Sequence, residues 1–533
     1  MIVDAKEFKE LKALKTQVCI IGSGAAGIPL ALELANHYGD IVILESGSET
    51  LDAETQSLYS GVGTPEFYPD PISSRFRMLG GSCNFWHNNT SPLDPIDFEK
   101  RPWISNSGWP ISYEDVLPYY ERAENYCGTG GEGYESQFWV DRTGIPDLFS
   151  ESNLLELSIA KAANPSTFFF RKYAQKLSAS NKIRVVKNAN FTDFLFNNNT
   201  GNAESIEFKT LTNPDVGHRL SAKIFILCMG GIENARMLLY VNRKNNNRLG
   251  NQGDNVGHYF MDHPVPRAAV LYPSENKNNA DYRLFQGVEY PDKRIVSFLK
   301  LRYDQLVENE TINLRMPLNS KTNYELSEGI RSYHILQQSI ADGEFHDAFG
   351  FHISNILDDL DMVGEAVSRR LLGHSIFSRA QDFAGFQIPV MMEQIPDFKN
   401  HISLSQSLDA FGIPKVEINW EITDENMKLF WKSLTLTARG LGEGSHGKLR
   451  LLRQFHERVW GTQMGLGNHH MGTTRMAATE KKGVVDSNQR VFGTSNIYVG
   501  GSSVFPTGGH VPPTLTIVAL TIRLAKHLIK QGF

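Results

Sequence analysis

The seven residues from Ile21 to Gly27, Ile-Gly-Ser-Gly-Ala-Ala-Gly, constrain this chain more than any others. They lie between an apolar run, 17–21, and a helical pattern, 28–38. A second apolar run, 40–44, follows and ends in Glu45. The order reads strand, glycine turn, helix, strand, acid. Gly22 permits the tight turn, Gly24 lets a pyrophosphate approach the backbone, and Gly27 lets helix and strand pack closely. The helix N-terminus offers unpaired N–H groups and partial positive charge to phosphates. Glu45 stands 23 residues after Gly22, near the spacing for a carboxylate that accepts from ribose hydroxyls. A ligand-free glycine turn would account for the glycines and leave the acid unexplained. The pattern predicts a dinucleotide site.

A chain of 533 residues exceeds one ordinary core, so two or more domains are expected. A hydrophobic fraction of 41% with 21% charged residues fits a globular protein rather than a disordered one. The net charge of −6 comes with no basic block, which argues against nucleic acid or an anionic membrane as partner. No apolar run reaches the ~18 residues of a membrane span. Residues 1–15 mix Asp, Glu and Lys without an apolar signal core. The four cysteines, Cys19, Cys83, Cys127 and Cys228, are scattered and form no CxxC pair. That usage suits a reducing compartment, the cytoplasm, and argues against a cysteine-built metal site. No metal is expected.

Farther along, 48–110 is rich in Pro, Gly, Ser and Asn. A helix is expected over 112–126. Strands are expected at 183–186, in a hairpin pair at 191–196 and 203–211, and at 221–228. The last of these ends in Gly230-Gly231 and a helix over 232–241, a second βα unit. The stretch from His263 to Val459 mixes strand signals (294–303) with helical ones (359–372, and 424–440 with Thr423 as N-cap). After it the chain returns to glycine-rich loops, a strand at 496–500 and a final helix over 513–531.

Several distant segments together resemble the glucose–methanol–choline (GMC) oxidoreductases. They are Gly22 to Gly27 with Glu45, Arg77-Met-Leu-Gly-Gly-Ser-Cys-Asn-Phe-Trp86, Ser107-Gly-Trp-Pro-Ile-Ser112 and Gly230-Gly-Ile-Glu-Asn-Ala-Arg236. Val256 to Pro264, His469-His-Met-Gly-Thr-Thr-Arg-Met476 and Gly500-Gly-Ser-Ser-Val-Phe-Pro506 complete the set. Within the family the look is nearest to bacterial sugar and sugar-acid dehydrogenase large subunits and pyranose oxidases. The resemblance implies an α/β protein: a Rossmann-like FAD-binding domain with an inserted α+β substrate domain. The division would be 1–264 (with a loop-rich insertion, 48–180), 265–460 for substrate, and 461–533 carrying the catalytic histidine. It implies FAD, held along its length by glycine turns at several sites. The implied contacts are Gly22, Ser23, Gly24, Ala26, Gly27, Glu45 and Ser46, then Arg77, Gly80, Gly81 and Asn84, and finally Gly230, Gly501, Pro513 and Thr514. Members that bind flavin covalently do so through a His four residues after the Gly-Gly pair. Here that residue is Phe85, so FAD should be non-covalent, with nearby His87 the one alternative attachment point.

The implied reaction oxidises a CH–OH group, of a sugar, glycoside or polyol, to a carbonyl. The flavin N5 accepts the hydride and a histidine accepts the proton. The family's base falls on His469; His470 beside it reads as a supporting residue. The family's second partner, Asn or His before N-P-T-L-T, falls on Pro512, which has no donor. His510, on a segment stiffened by Pro512 and Pro513, is the candidate to replace it. The final helix would turn its positive end to the flavin ring. A small alcohol or sugar is the substrate, and oxygen, a quinone or a redox protein takes the electrons. The alternative is a non-redox lyase on the flavin fold, or a catalytically degenerate flavoprotein.

Overall fold

Six parallel strands form the central sheet, in the order Ile2–Asp4, Ile183–Lys187, Ile41–Leu44, Val18–Ile21, Ile224–Leu227 and Ile497–Val499. The structure is a computed structural model. It describes residues 1–532 except 9, 63–67, 69, 165–168, 198–200, 276–278, 344, 347 and 453–463. The three central strands are buried at every residue. Their unbroken apolar runs are what parallel strands covered on both faces require. Side chains alternate between the faces. Cys19, Ile21, Val42, Leu44, Phe225 and Leu227 enter one core with Ala235, Leu238 and Val241 of the helix Gly230–Lys244. Val18, Ile20, Ile41, Ile43, Ile224 and Ile226 enter the other, with Ile28, Leu30 and Leu34 of the helix Gly27–Leu34. The final helix, Thr514–Gln531, spans both: Leu515, Val518 and Ile522 join the first core, Leu524 and Leu528 the second. At the dinucleotide turn, a Cβ on Gly27 would stand 1.9 Å from the Gly22 carbonyl oxygen. Only glycine lets this helix start so close to its strand.

The remaining sheets flank this unit. One holds Ala13–Lys15, Asn213–Ser221, Ala203–Thr210 and Asn190–Phe196. A second runs Asn319–Thr322, Phe383–Pro389, Pro264–Pro273 and Gly447–Leu451, and Met464–Leu466 pairs with the start of Pro264–Pro273. A third runs Val288–Tyr290, Lys293–Leu301, Leu155–Ala163 and Asn89–Thr90. The helices Glu328–Ala341, Phe349–Asp358 and Leu360–Leu372 pack against one another beside them. The fold class is the expected one: a parallel nucleotide-type sheet with an α+β region inserted.

The boundaries differ in instructive ways. The first helix stops at Leu34, not 38: His37 and Tyr38 both donate to the Leu34 carbonyl and close a turn. The helix expected from Ser112 begins only at Leu117–Tyr119 as a 3-10 turn and becomes α-helical over Tyr120–Cys127. Pro118 disfavours helix at the residue before it, and Ser112 and Asp115 bond each other's backbone instead. The hairpin pair gains a third strand, Asn213–Ser221, too polar on its exposed face to show in the pattern. Leu155–Ala163, inside the expected 48–180 insertion, pairs along its length with Lys293–Leu301. The inserted region thus draws one strand from each side of the chain. The expected 460/461 boundary lies outside the described residues.

Thr423 caps the helix Asp424–Glu443 as the sequence predicts, its hydroxyl accepting from the Asn426 N–H at 3.2 Å. Thr423→Ala should lower unfolding stability by about 0.5–2 kcal/mol, read by denaturant titration. Unchanged stability would mean that water replaces the cap without loss.

Candidate active site

A single cavity of about 870 Å³ opens where the C-terminal ends of the central strands meet the inserted region. Twelve of the expected cofactor residues line it: Gly22, Ser23, Gly24, Ala26, Glu45, Ser46, Arg77, Gly81, Gly230, Gly501, Pro513 and Thr514. These come from six separate stretches of chain. Three do not reach it. Gly27 serves helix–strand packing. Gly80, at φ +90°, turns the chain and donates its N–H to the Ser23 hydroxyl at 3.2 Å. Asn84 spends its amide on backbone, donating to Leu79 O at 2.7 Å and accepting from Phe170 N at 3.2 Å. It holds the glycine loop rather than facing a ligand.

The wall suits a long anionic cofactor. A Cβ on Gly24, Gly230 or Gly501 would meet nothing within 4 Å, so the space beside these backbones belongs to the cavity. Each Glu45 oxygen accepts one backbone N–H, Ser23 N at 3.0 Å and Gly47 N at 2.9 Å, and the Ser23 hydroxyl adds a bond at 2.6 Å. The Ser46 hydroxyl, 3.3 Å from the other oxygen, makes the fourth bond, so a ribose hydroxyl would take the place of one of the two serine hydroxyls. The N-cap of the final helix, Pro513, makes no side-chain cap bond, and Pro512, Pro513 and Thr514 line the cavity. Its first N–H groups are therefore open to a negatively charged or accepting group.

Arginines set the charge of this wall. Arg75 and Arg77, both buried, stack on Tyr59 at 4.0 and 4.2 Å. Glu233, on the helix after Gly230-Gly231, accepts from Arg75 at 3.4 Å, Arg77 at 2.8 Å and Arg236 at 2.7 Å. Arg236 also meets Asp409 at 2.5 Å. Burial would raise the Glu233 carboxyl, but the three guanidiniums hold it down at about 2. Within this cluster three guanidiniums share two carboxylates, and Glu45 lines the same cavity. Glu233 carried no signal in the sequence beyond standing in a family-like segment, and Arg75, two residues before another such segment, carried none. Cys83 and Cys228 line the cavity with thiols pushed up to about 12 by burial, so they are not nucleophiles at neutral pH.

Four histidines separate into roles by geometry. His469 lines the cavity. Its Nδ1 lies 2.8 Å from Nδ1 of His263, with the rings nearly perpendicular at 83°. The Nε2 of His263 lies 2.9 Å from the Gly509 carbonyl oxygen. Asp262 Oδ1 accepts from the backbone N–H groups of both His263 and His469, each at 2.7 Å, and Oδ2 accepts from Tyr68 at 3.1 Å. Burial lowers His263 to about 4 and is the main cause holding His469 well below its ordinary value, with His263, His470 and Arg315 adding to it. Burial also pushes Asp262 up to about 6. His470 turns toward Phe260 and its backbone oxygen accepts from Ser502 at 2.6 Å. His263 was missed as a candidate, although its segment, Val256 to Pro264, stood out; nothing local marks a histidine that meets its partner 206 residues away.

His510 is a correction. The structure does not bring it to the cavity: it is fully buried, packed against the turn at Asp94–Asp97, with Nε2 4.0 Å from Asp94 Oδ2. Burial lowers its pKa to about 3. Gly509, at φ +57°, turns the chain just before it, and Pro512 takes the cavity position. The stiff segment aims the ring, but into the core. Asp94, Asp97 and His510 stand close enough to share an ion, yet Lys300 Nζ already lies 2.6 Å from Asp94 Oδ2.

A family model described as GMC oxidoreductase matches residues 396–521. Over 97% of its length the chain is 22% identical to 96% of a 2-methyl-1,2-propanediol dehydrogenase of Mycolicibacterium austroafricanum. Over 98% of its length it is 21% identical to 99% of the fructose dehydrogenase large subunit of Gluconobacter japonicus. A C-glycoside 3-oxidase of Microbacterium trichothecenolyticum is 28% identical over 25% of each chain. Among solved structures, pyridoxine 4-oxidase from Mesorbium loti superimposes with a TM-score of 0.58 at 13% identity, covering 96% of this chain and 99% of that one. Formate oxidase of Aspergillus oryzae gives 0.56 at 16% identity, covering 97% and 99%. These two structures share the fold.

The arginine cluster yields a direct test. Glu233→Gln removes the charge that three guanidiniums share and should destabilise the protein by about 3–5 kcal/mol, the usual cost of leaving buried cations unpaired. Thermal and denaturant unfolding would read it; a midpoint like the wild type's would contradict this account of the wall.

Proposed function

The chain belongs to the GMC oxidoreductases, and from that premise we propose that it oxidises the CH–OH group of a sugar, glycoside or polyol with His469 as the base. It is an FAD enzyme. When bound, FAD supplies the hydride acceptor. The residues of this chain do the rest. The open glycine turns, Glu45 and the uncapped final helix would hold and orient the cofactor; Arg75 and Arg77 would supply positive potential.

The observation that carries the reading is the hydrogen-bond chain behind His469. A carbonyl oxygen only accepts, so His263 must carry a proton on Nε2 to bond Gly509 O. Burial keeps His263 neutral at physiological pH, so its Nδ1 has a lone pair. His469 then donates from Nδ1, and its Nε2 is left as the lone-pair nitrogen. A substrate hydroxyl at the cavity can give its proton to that atom. Asp262 holds both histidine backbones in register, so the base is positioned before substrate arrives. Pro512, which lines the cavity at the family's second-partner position, offers no donor. We therefore assign proton transfer to His469 alone.

The far side of the cavity is lined by Arg267, Asn319, Lys321 and Gln387 from the inserted sheet and by Met391 just beyond it. Polar groups on rigid strands suit a polyhydroxylated substrate. The relatives named above, for a diol, a ketose and C-glycosides, support the same class. All are named as redox enzymes, which leaves the lyase alternative without support. We further propose that 265–460 acts as the substrate region, that FAD is non-covalent because Phe85 occupies the attachment position on the cavity wall, and that the four unpaired cysteines fit the cytoplasm. Protein denatured in acid should release all its flavin; flavin retained on the chain would point to His87.

His469→Ala should slow flavin reduction roughly 10²–10⁴-fold while FAD stays bound; His510→Ala should slow it little. Rapid-mixing kinetics with a sugar and polyol panel would decide, and the reverse ranking would overturn the assignment. Because His469 titrates below its ordinary value, the base stays unprotonated as pH falls from neutrality. The acid limb of the rate profile should therefore lie below about pH 6.5, the ordinary histidine value. A limb at or above that value would contradict the buried, neutral pair.

A further inference from the structure

We propose that the segment 370–379 docks this protein on a lipid surface rich in anionic headgroups, an interaction separate from the flavin site. The ten residues, Arg370-Leu-Leu-Gly-His-Ser-Ile-Phe-Ser-Arg379, are exposed without a break. They include large apolar side chains: Leu371 is 74% exposed, Leu372 63%, Ile376 50% and Phe377 39%. Such a contiguous apolar tip costs free energy in water and marks an interaction site.

The tip is built, not loose. It joins the helix Leu360–Leu372, which ends at Gly373 in the left-handed region, to a 3-10 turn at Ser378–Gln381. The buried carboxylate of Glu365 accepts from the backbone N–H groups of Ile376 and Phe377, each at 2.9 Å, and from Arg369 at 2.7 Å. Ser368 donates to the His374 carbonyl at 3.1 Å. A fully bonded buried acid thus fixes the backbone in the one arrangement that holds these apolar side chains outward.

Charge selects the occupant. No Asp or Glu occurs between Glu365 and Asp382, and Arg370 and Arg379 flank the apolar residues. Neither arginine has an acidic partner among the described residues. The acids at the start of the same helix, Asp359 and Asp361, stand nine or more residues away, roughly 13 Å along its axis. In a chain of net charge −6 this tip is a local reversal of sign. A second copy of the tip would set arginine against arginine. A protruding tip of apolar side chains rimmed by cations fits an interface whose apolar interior deforms around it and whose headgroups are negative. Arginine stems reach along apolar surface while their heads stay among the phosphates.

The test uses the FAD-loaded full chain with vesicles of phosphatidylcholine alone or mixed with phosphatidylglycerol. Co-sedimentation should require phosphatidylglycerol and weaken with salt. Combined Leu371→Ser, Leu372→Ser, Ile376→Ser and Phe377→Ser, and separately Arg370→Glu with Arg379→Glu, should each reduce binding about tenfold or more. Both should keep the flavin content and the turnover of soluble substrate. Leu11→Ser with Leu51→Ser, exposed apolar residues elsewhere in the chain, should leave binding unchanged. The proposal is overturned by four results: no sedimentation with mixed vesicles, equal binding to neutral ones, an equal loss in the Leu11 and Leu51 control, or a dimer in light scattering that the serine variant dissociates. The last would identify a second copy as the occupant.

Discussion

The carboxylate of Asp262 is the tie on which the candidate site depends. It joins parts of the chain that are far apart: Tyr68 from the loop-rich segment, His263 beside it, and His469 from the returning C-terminal segment. Two of its bonds go to backbone N–H groups, so it fixes where the chain runs rather than where a side chain points. With both backbones fixed, the two imidazoles meet at 2.8 Å. Protonating Asp262 would remove charge from these bonds. Burial, which pushes its carboxyl up to about 6, brings that event close to the physiological range. The base and the scaffold therefore respond to acid through different groups.

Two kinds of electrostatics divide the cavity. Around the nucleotide turn, permanent charge dominates: arginines on Glu233 and open backbone N–H groups. Around the histidines, burial keeps the imidazoles neutral. Arginines and open backbone N–H groups suit phosphates. A neutral imidazole with one nitrogen committed suits proton uptake. The same chain supplies both within one cavity.

Net charge was a poor guide to surface. A total of −6 argued against an anionic membrane, yet the 370–379 tip concentrates cations and apolar groups in ten residues. Summing charge over 533 residues erases a feature that small. The pattern 359–372 was legible as a helix, but periodicity does not say whether an apolar residue at a helix end is covered.

The sequence by itself determined the nucleotide-binding half. Gly22, Gly24 and Gly27 with Glu45, the buried runs 18–21, 41–44 and 224–227, the Thr423 cap and the final helix all follow from local rules: glycine conformations, alternation and helical spacing. Local rules suffice there because turn, strand and helix are adjacent in the chain. Tertiary structure alone decided which polar groups meet. Asn84 and His510 stand in the right segments, and packing turns them to backbone and to Asp94 instead of the cavity. His263, Arg75 and Glu233 gain their places from partners more than a hundred residues away. It also decided that Leu155–Ala163 would pair with Lys293–Leu301. Side-chain direction and long-range pairing are set by how separate elements pack, and no spacing along the chain encodes that.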